Sequence, residues 1–219
     1  RTYTVTYNYN YTNGSVVNKD VSYSFKNWNT AANASGNSYS DQASVTNLTT
    51  TDKGIVNLYA QWNSNSVTYI PTARTGYSFG GWYTNSGCTG SRVDSNGIYT
   101  PTANVTLYAK WVANKYQVRY NGNGATTGTM SNSEHTYGIS KNLSTNSFSR
   151  NYTVTYNHNY TGSANTTKVS NYDFIGWANS IDGIKAYDNN ASVINLSAAN
   201  GAVVDLYAKW NNTGSKVNY

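Results

Sequence analysis

The chain opens with a stretch in which apolar and polar residues alternate. Every odd position from Tyr3 to Tyr11 is Tyr or Val, and the even positions between them are Thr or Asn. A period of two places each set on one face of a β-strand, so this stretch predicts a strand with one buried, aromatic face. Asn13-Gly14 then favours a tight reversal with positive φ, and we expect a hairpin that returns through Val16.

Two shorter patterns also predict strands. In LYAKW, Leu107 and Trp111 lie on one face of a strand and the intervening Tyr and Lys on the other, so we expect Leu and Trp to point inward. In YSFKNW, Tyr23 and Phe25 share a face. Trp28 falls on the opposite face unless a β-bulge intervenes or the strand ends before it.

The best helix candidates are two short segments of similar sequence. They are SVTNL at Ser44 to Leu48 and SVINL at Ser192 to Leu196. Helix nucleation is unfavourable, so segments this short depend on packing against a sheet. We predict one helical turn in each.

These patterns recur along the chain. YTVTYNYNYT, which begins at Tyr3, returns 149 residues later as YTVTYNHNYT, which begins at Tyr152, with His158 in place of Tyr9. Segments of the form YxFxxW and LYAxW alternate and occur three times each, which is the signature of a repeat protein. We predict that each repeat has a structural core made of the landmark residues Tyr23, Phe25, Trp28, Leu58, Trp62, Tyr77, Phe79, Trp82, Leu107, Trp111, Tyr172, Phe174, Trp177, Leu206 and Trp210.

The spacing of the landmarks divides the chain into modules. Residues 1–64 are predicted to form module 1, which lacks its N-terminal half, and residues 65–113 a short module 2. Residues 114–213 are predicted to form an extended module 3 with an inserted hairpin, and residues 214–219 the start of a further repeat or a tail. We therefore expect the chain to be a section of a longer array.

The landmarks also carry a family resemblance. The pairing of YSFGGW at Tyr77 with LYAKW at Leu107, together with YQVRYNGNGAT at Tyr116 and TYG at Thr136, resembles the Listeria-Bacteroides repeat, or internalin B-type repeat. The resemblance implies small β-grasp-like modules arrayed in the stalks of bacterial surface proteins and adhesins, with no catalytic residues. Lys26-Asn27 departs from the pattern, which has Gly before the Trp. The fold class is thus predicted to be mostly β (α+β), with tandem modules of at most one short helix each in an elongated array.

Composition and charge indicate which binding partners and which cellular location to expect. The formal net charge of +6 comes from basic residues that are scattered singly, whereas nucleic-acid readers cluster them, so we expect no nucleic-acid partner. No apolar run approaches the roughly 18 residues of a membrane span. Cys88 is the only cysteine, which fits Gram-positive export better than a disulfide-rich ectodomain. We expect an extracellular or cell-wall location.

Reactive residues are sparse and follow no catalytic or metal-binding pattern. His135 and His158 lack metal-ligand spacing, and Cys88 has no CxxC partner. Glu134 is the only glutamate, no carboxylate pair is marked as an acid and a base, and no GxSxG occurs. We therefore expect no enzymatic activity, no cofactor and no metal site.

The segment Asp94-Ser95-Asn96-Gly97 allows two interpretations, a calcium-binding loop or a simple turn. It could contribute to a calcium site, but it lacks the alternating acidic ligands of a calcium loop. Such a sequence is more often a simple turn.

Two functions follow from these observations. The first is a structural and adhesive repeat region that associates with itself or with neighbouring repeats and could assemble into a fibre. The alternative is an adhesin module that binds carbohydrate or a host protein through exposed aromatic rings. The Trp residues look like core, but Tyr9, Tyr83 and Tyr187 could be either buried or displayed, and the sequence leaves this open.

Overall fold

A computed structural model describes residues 1–94 and 96–211 of the chain. The chain divides into two compact units. Unit 1 consists of Arg1–Thr72 and Phe79–Trp111, and unit 2 of Ala73–Ser78 and the chain from Val112 onward. The prediction for residues 214–219 lies outside the described residues.

The described residues form seventeen strands. The first part of the chain contains β1 (Thr2–Asn8), β2 (Val16–Ser22), β3 (Ser24–Asn29), β4 (Ser38–Tyr39), β5 (Tyr59–Asn63), β6 (Val67–Thr68), β7 (Tyr77–Tyr83), β8 (Ile98–Tyr99) and β9 (Val105–Ala113). The remainder contains β10 (Lys115–Asn121), β11 (Ser133–Thr136), β12 (Lys141–Asn142), β13 (Arg150–Tyr156), β14 (Thr166–Ala178), β15 (Lys185–Tyr187), β16 (Ser192–Val193) and β17 (Val203–Asn211). The mostly β prediction is therefore confirmed.

The main sheet of unit 1 has the strand order β2-β1-β9-β7. β1 and β2 form the predicted antiparallel hairpin, in which Tyr3 lies opposite Val21. Asn13 in the turn has φ 61°, a left-handed conformation that Asn tolerates better than most residues. On its other edge β1 pairs in parallel with β9. A smaller sheet, β4-β3-β5, and the pair β6-β8 complete the strands of this unit.

The main sheet of unit 2 repeats this plan with other strands. Its order is β11-β10-β17-β14-β13, and β15 also pairs with β14. β10 and β17 are parallel neighbours in the middle of the sheet. β13 forms an antiparallel hairpin with the first half of β14 and lies at the end of the sheet.

A β-bulge brings the Phe and Trp of the YxFxxW segments to the same side. The register shifts between Phe25 and Asn27 and again between Phe174 and Gly176. Phe174 and Trp177 are therefore 5.0 Å apart between ring centroids. Gly176 has φ 141°, and a Cβ there would lie 2.4 Å from the carbonyl oxygen of Tyr187, so the bulge requires glycine in this copy.

The predicted helical turns are wrong. The described residues contain no helix. Ser192–Val193 forms β16, which pairs with β12, and the side chain of Val193 is buried. Residues 44–48 form no regular element. Pairing with β12 gives this segment backbone hydrogen bonds and lets the Val193 side chain be buried. A single helical turn would form only one backbone hydrogen bond, which does not offset the conformational entropy lost in forming it.

Each unit has its own hydrophobic core. Trp82 is central to the core of unit 1 and Trp177 to that of unit 2, and both side chains are fully buried. The boundary drawn at residue 64 lies inside unit 1, because β1 and β9 belong to one sheet. Independent cores imply that the stability of one unit can be lost without the other.

We expect Trp177→Ala to unfold unit 2 and leave unit 1 folded. Truncation of a fully buried Trp costs about 3–5 kcal/mol, which is a large part of the stability of a small domain. Hydrogen exchange read by mass spectrometry should show lost protection in β10 and β17 and retained protection in β1 and β9. Equal loss in both units would contradict the prediction.

Candidate functional site

The feature that the two units share is a parallel strand junction. In unit 1 the first strand, β1, lies beside the LYAKW strand, β9, with Tyr7 opposite Leu107. In unit 2 β10 lies beside β17, and Tyr120 is opposite Leu206. Both pairs place a YxVxY strand against an LYAKW strand in the same register. We call this arrangement the strand junction.

An asparagine after the first strand locks each junction. Asn10 and Asn123 have φ 58° and 45°. The backbone N–H of Asn10 donates to Oδ1 of Asn8 at 2.7 Å, and that of Asn123 donates to Oδ1 of Asn121 at 2.8 Å. These Asx turns hold the chain in the left-handed region, where Asn is tolerated.

The side-chain amide of the same asparagine reaches the neighbouring strand. Nδ2 of Asn10 donates to the carbonyl oxygen of Ala109 at 3.3 Å. Nδ2 of Asn123 donates to the carbonyl oxygen of Ala208 at 3.0 Å. Each bond therefore ties the end of the YxVxY strand to the Ala of LYAKW.

Tryptophan side chains contact the YxVxY strand in both junctions. The indole N–H of Trp111 donates to the carbonyl oxygen of Tyr9 at 2.8 Å, and that of Trp210 donates to the carbonyl oxygen of Gly122 at 2.9 Å. The Tyr7 ring lies 4.7 Å from that of Trp82. Burial, with the negative charge of Asp94 as a second cause, raises the pKa of Tyr7 to about 12.

In unit 2 the equivalent core rings, Tyr120 and Trp177, are 4.9 Å apart. Edge-to-face and tilted ring pairs at such distances add to the stabilisation from burial alone. The two junctions therefore use the same four contacts: a parallel backbone ladder, an Asn amide hydrogen bond, a Trp indole hydrogen bond and an aromatic pair.

The predicted landmark residues differ in how far they are buried. Fully buried are Trp82, Trp177, Leu107 and Leu206. Partly buried are Tyr23, Phe25, Trp28, Leu58, Tyr77, Phe79, Trp111, Tyr172, Phe174 and Trp210. Trp62 is 37% exposed. Trp62 lies on β5, the end strand of the small sheet among the described residues.

The three tyrosines whose burial the sequence did not decide do not form an exposed row on the surface. Tyr9 and Tyr83 are buried, and Tyr187 is half-buried. Tyr160 is the most exposed of the tyrosines among the described residues, at 69%. It follows YTVTYNHN, the second copy of the opening strand.

Unit 2 contains a cleft beside Trp210, and a tyrosine ring occupies the equivalent position within unit 1. The cleft has a volume of about 370 Å³, and its lining includes Trp210, Arg150, Asp182 and Gly124. The residue that matches Gly124 in unit 1 is Tyr11, whose ring packs edge-on against Trp111 at 6.1 Å. Glycine in place of tyrosine thus leaves one side of the Trp210 ring open.

The buried polar residues serve the fold. Asp94 accepts hydrogen bonds from the backbone N–H groups of Trp82 and Gly97 and from the guanidinium of Arg92. Burial opposes ionisation of Asp94, but these bonds prevail and lower its pKa. The Asp94 turn is thus held by internal partners, although Ser95 lies outside the described residues. Among the described residues, no group of three or more His, Cys, Asp or Glu side chains could hold a metal ion.

His135 is a buried side chain in unit 2. Its ring stacks on Tyr116 at 5.5 Å, and Nε2 lies 2.9 Å from Oγ of Ser133. Burial, followed by the positive charge of Lys141, lowers the pKa of His135. The neutral ring is therefore a packing element of the core.

Sequence reasoning missed the asparagines that lock the junctions. Their signal is Y-N-x-N, which occurs at Tyr7 to Asn10, at Tyr120 to Asn123 and at Tyr156 to Asn159. In a chain so rich in Asn, this spacing does not stand out from the composition. Its recurrence at the end of each YxVxY strand is the pattern from which these asparagines could have been predicted.

We expect Asn123→Ala to destabilise unit 2 by about 1–3 kcal/mol, because it removes the amide bond to Ala208 and forces Ala into a left-handed conformation. Asn123→Gly is the matched control: it removes the same bond but accepts the positive φ, so it should cost less than Ala. Thermal unfolding followed separately for each unit would measure both. Equal stability of wild type and Asn123→Ala would show that the Asn123 side chain does not stabilise unit 2.

The matches to known proteins agree with the repeat pattern. The model of the Listeria-Bacteroides repeat domain family matches residues 51–110, which confirms the resemblance for that segment. The matched segment includes β7 and most of β9 but not β1, which completes their sheet. No helix in the described part of the chain is long and apolar enough to cross a membrane.

One relative is a protein of Evansella cellulosilytica that carries the name Gly-rich membrane protein. It is 30% identical over an alignment 132 residues long, and the match covers 47% of this chain. The chain spans only 15% of the length of that relative. No solved structure matches the chain.

Proposed function

Because the chain contains a Listeria-Bacteroides repeat, we propose that it belongs to the structural and adhesive repeat region of a secreted or cell-wall-associated bacterial surface protein. The observation that carries this proposal is the strand junction, which is built twice with the same register and the same Asn and Trp hydrogen bonds. These repeated contacts join distant segments of the chain, which suits a structural role. The membrane-protein name of the relative supports a surface role.

The same proposal includes a tandem, elongated array of β-grasp-like modules. Its support is that both units place the first strand parallel to the LYAKW strand in the middle of a mixed sheet. Such modules gain stability from their neighbours and serve as spacers in repeat proteins. We propose no catalytic step for the chain.

Surface labelling tests the proposed location. Antibodies raised against the purified chain should label intact, unpermeabilised cells of the bacterium that makes the protein. Brief protease treatment of those cells should remove the signal, while a cytoplasmic marker stays intact. Label that appears only after the cells are permeabilised would contradict the proposal.

A second candidate function, carbohydrate binding, is favoured by the cleft beside Trp210. Sugar rings stack on aromatic faces, and their hydroxyl groups bond to charged side chains such as Arg150, Asp182 and Lys209, which line the cleft. The guanidinium of Arg150 already lies 4.6 Å from the centroid of the Tyr172 ring. This arrangement supports an adhesin that recognises surface glycans.

If unit 2 binds glycans through this cleft, Arg150→Ala should weaken binding on a glycan array about tenfold, since one charged hydrogen bond is worth about 1.5 kcal/mol or more. Arg1→Ala is the matched control, because Arg1 also lies over a tyrosine ring, that of Tyr3, in unit 1. No glycan bound by the wild-type chain, or an equal loss in both variants, would remove this candidate.

A further inference from the structure

Trp210 borders two clefts in unit 2. One is the cleft of about 370 Å³ described above, and the second has a volume of about 320 Å³ and is lined in part by Phe148, Tyr172 and Phe174. Trp210 and Arg150 line both clefts, so the two meet at this pair of side chains. Each volume lies within the range of about 300–1,000 Å³ that is usual for small-molecule sites. We call the two clefts together the Trp210 groove.

Unit 1 allows an internal comparison, because equivalent segments build the same positions there. The asparagine that locks each strand junction makes a further bond, to the turn that follows a YxFxxW segment. Nδ2 of Asn10 donates to the carbonyl oxygen of Ser86 at 2.8 Å, and Nδ2 of Asn123 to that of Ile181 at 3.1 Å. Ser86 and Ile181 each lie nine residues after the first Tyr of their YxFxxW segment. The turn that forms one wall of the groove can therefore be compared residue by residue.

Two positions around the groove carry different residues in the two units. Gly124 stands where unit 1 has Tyr11, which leaves the Trp210 ring open on that side. In the turn, Asp182 stands where unit 1 has Gly87. Unit 2 therefore lacks the ring that would fill the groove and adds a carboxylate to its lining.

The lysine of LYAKW also differs in its surroundings. In unit 1 the ammonium group of Lys110 lies 5.2 Å from the centroid of the Tyr83 ring. The residue that matches Tyr83 in unit 2 is Ala178. Lys209, the counterpart of Lys110, thus has no ring at that position, and its side chain lines the groove instead.

Arg150 is held where the two clefts meet. Its guanidinium lies 4.6 Å from the centroid of the Tyr172 ring. A Cβ at Gly124 would be 3.2 Å from the guanidinium carbon, so this group also lies against the glycine. Arg150 takes part in none of the four ion pairs found among the described residues. The position of the guanidinium is thus set by neighbours that leave its N–H groups available to a ligand.

The charged groups of the groove have both signs. Arg150 and Lys209 are cationic, while Asp182 and Asp173 are anionic. A ligand of strong net charge would meet a like charge in this lining, which disfavours it. A hydroxyl group both donates and accepts hydrogen bonds, so a neutral polyol can satisfy cationic and anionic side chains alike.

We propose that the Trp210 groove binds a neutral linear oligosaccharide, with one sugar ring packed on the Trp210 ring and hydroxyl groups bonded to Arg150 and Asp182. The apolar face of a sugar ring suits an aromatic side chain, and the neighbouring polar groups fix its orientation. Because the groove extends to both sides of Arg150, the ligand is a disaccharide or longer. This inference rests on the carbohydrate-binding candidate above and names its ligand class.

Fluorine NMR on the whole chain tests the ligand class. Labelling with 5-fluorotryptophan gives one signal for each of the six tryptophans, and Trp210→Phe and Trp111→Phe identify two of them. Cellotetraose, mannotetraose and chitotetraose are the neutral probes, and tetragalacturonate is the acidic probe. At least one neutral probe should shift the Trp210 signal and leave the Trp111 signal unchanged. The acidic probe should bind at least about tenfold more weakly.

Two aspartate variants test the site with the neutral probe that binds. Asp182→Gly gives the turn the residue that unit 1 has there, and it should raise the dissociation constant about tenfold or more, because a hydrogen bond to a charged group is lost. Asp188→Asn is the matched control, since it removes the same charge from an exposed residue that pairs with Lys185 outside the groove. It should leave binding unchanged. Circular dichroism checks that both variants are folded.

Four results would overturn the proposal. They are a wild-type chain that binds no neutral probe, tighter binding of tetragalacturonate than of every neutral probe, binding that leaves the Trp210 signal unchanged, or equal effects of the two aspartate variants. Tighter binding of the acidic probe at Trp210 would leave the carbohydrate-binding candidate standing and remove only the ligand class. Failure of every probe to bind would remove both, whereas the surface role depends on the labelling experiment alone.

Discussion

Parallel pairing of a YxVxY strand with an LYAKW strand is the interaction on which each unit depends. Parallel strands cannot be joined by a tight turn, so the two strands come from distant parts of the chain. Their pairing places Tyr7 over Trp82 in unit 1 and Tyr120 over Trp177 in unit 2. Without the first strand, the face of the central Trp would be open to water. The remaining strands extend a sheet whose centre this pair defines.

The β-bulge contributes to the same core, because it determines which aromatic side chains face the strand junction. A regular strand would direct Phe174 and Trp177 to opposite faces. The extra residue at the bulge turns both rings toward β17, where Trp210 lies 5.7 Å from Phe174. In the first copy Asn27 stands at the glycine position, and its Oδ1 is buried without a hydrogen-bond partner. That copy also has the least buried aromatic landmarks.

Local features of the fold could be predicted from the sequence, whereas the choice of partner strands could not. The β1–β2 hairpin follows from alternation and from Asn13-Gly14, and the bulge follows from the odd spacing of Phe and Trp. The identical YTVTYN segments, however, have different neighbours: one is central and the other is at an edge. No property of the segment itself distinguishes them, because the difference is that β1 pairs directly with an LYAKW strand, β9, whereas β13 pairs with β14 alone.

The separation between β1 and β9 affects how the chain would fold as it is made. A hydrogen bond across this pair joins Thr4 to Asn104, which are 100 residues apart. In a chain that is synthesised from its N-terminus, the β1–β2 hairpin is available to fold long before β9, the strand that completes its sheet. During that delay its edge is open to any similar strand nearby, and long-range pairing of this kind is slow. The rate at which the chain emerges and the concentration of neighbouring chains would then decide whether β1 pairs with its own β9 or with that of another molecule.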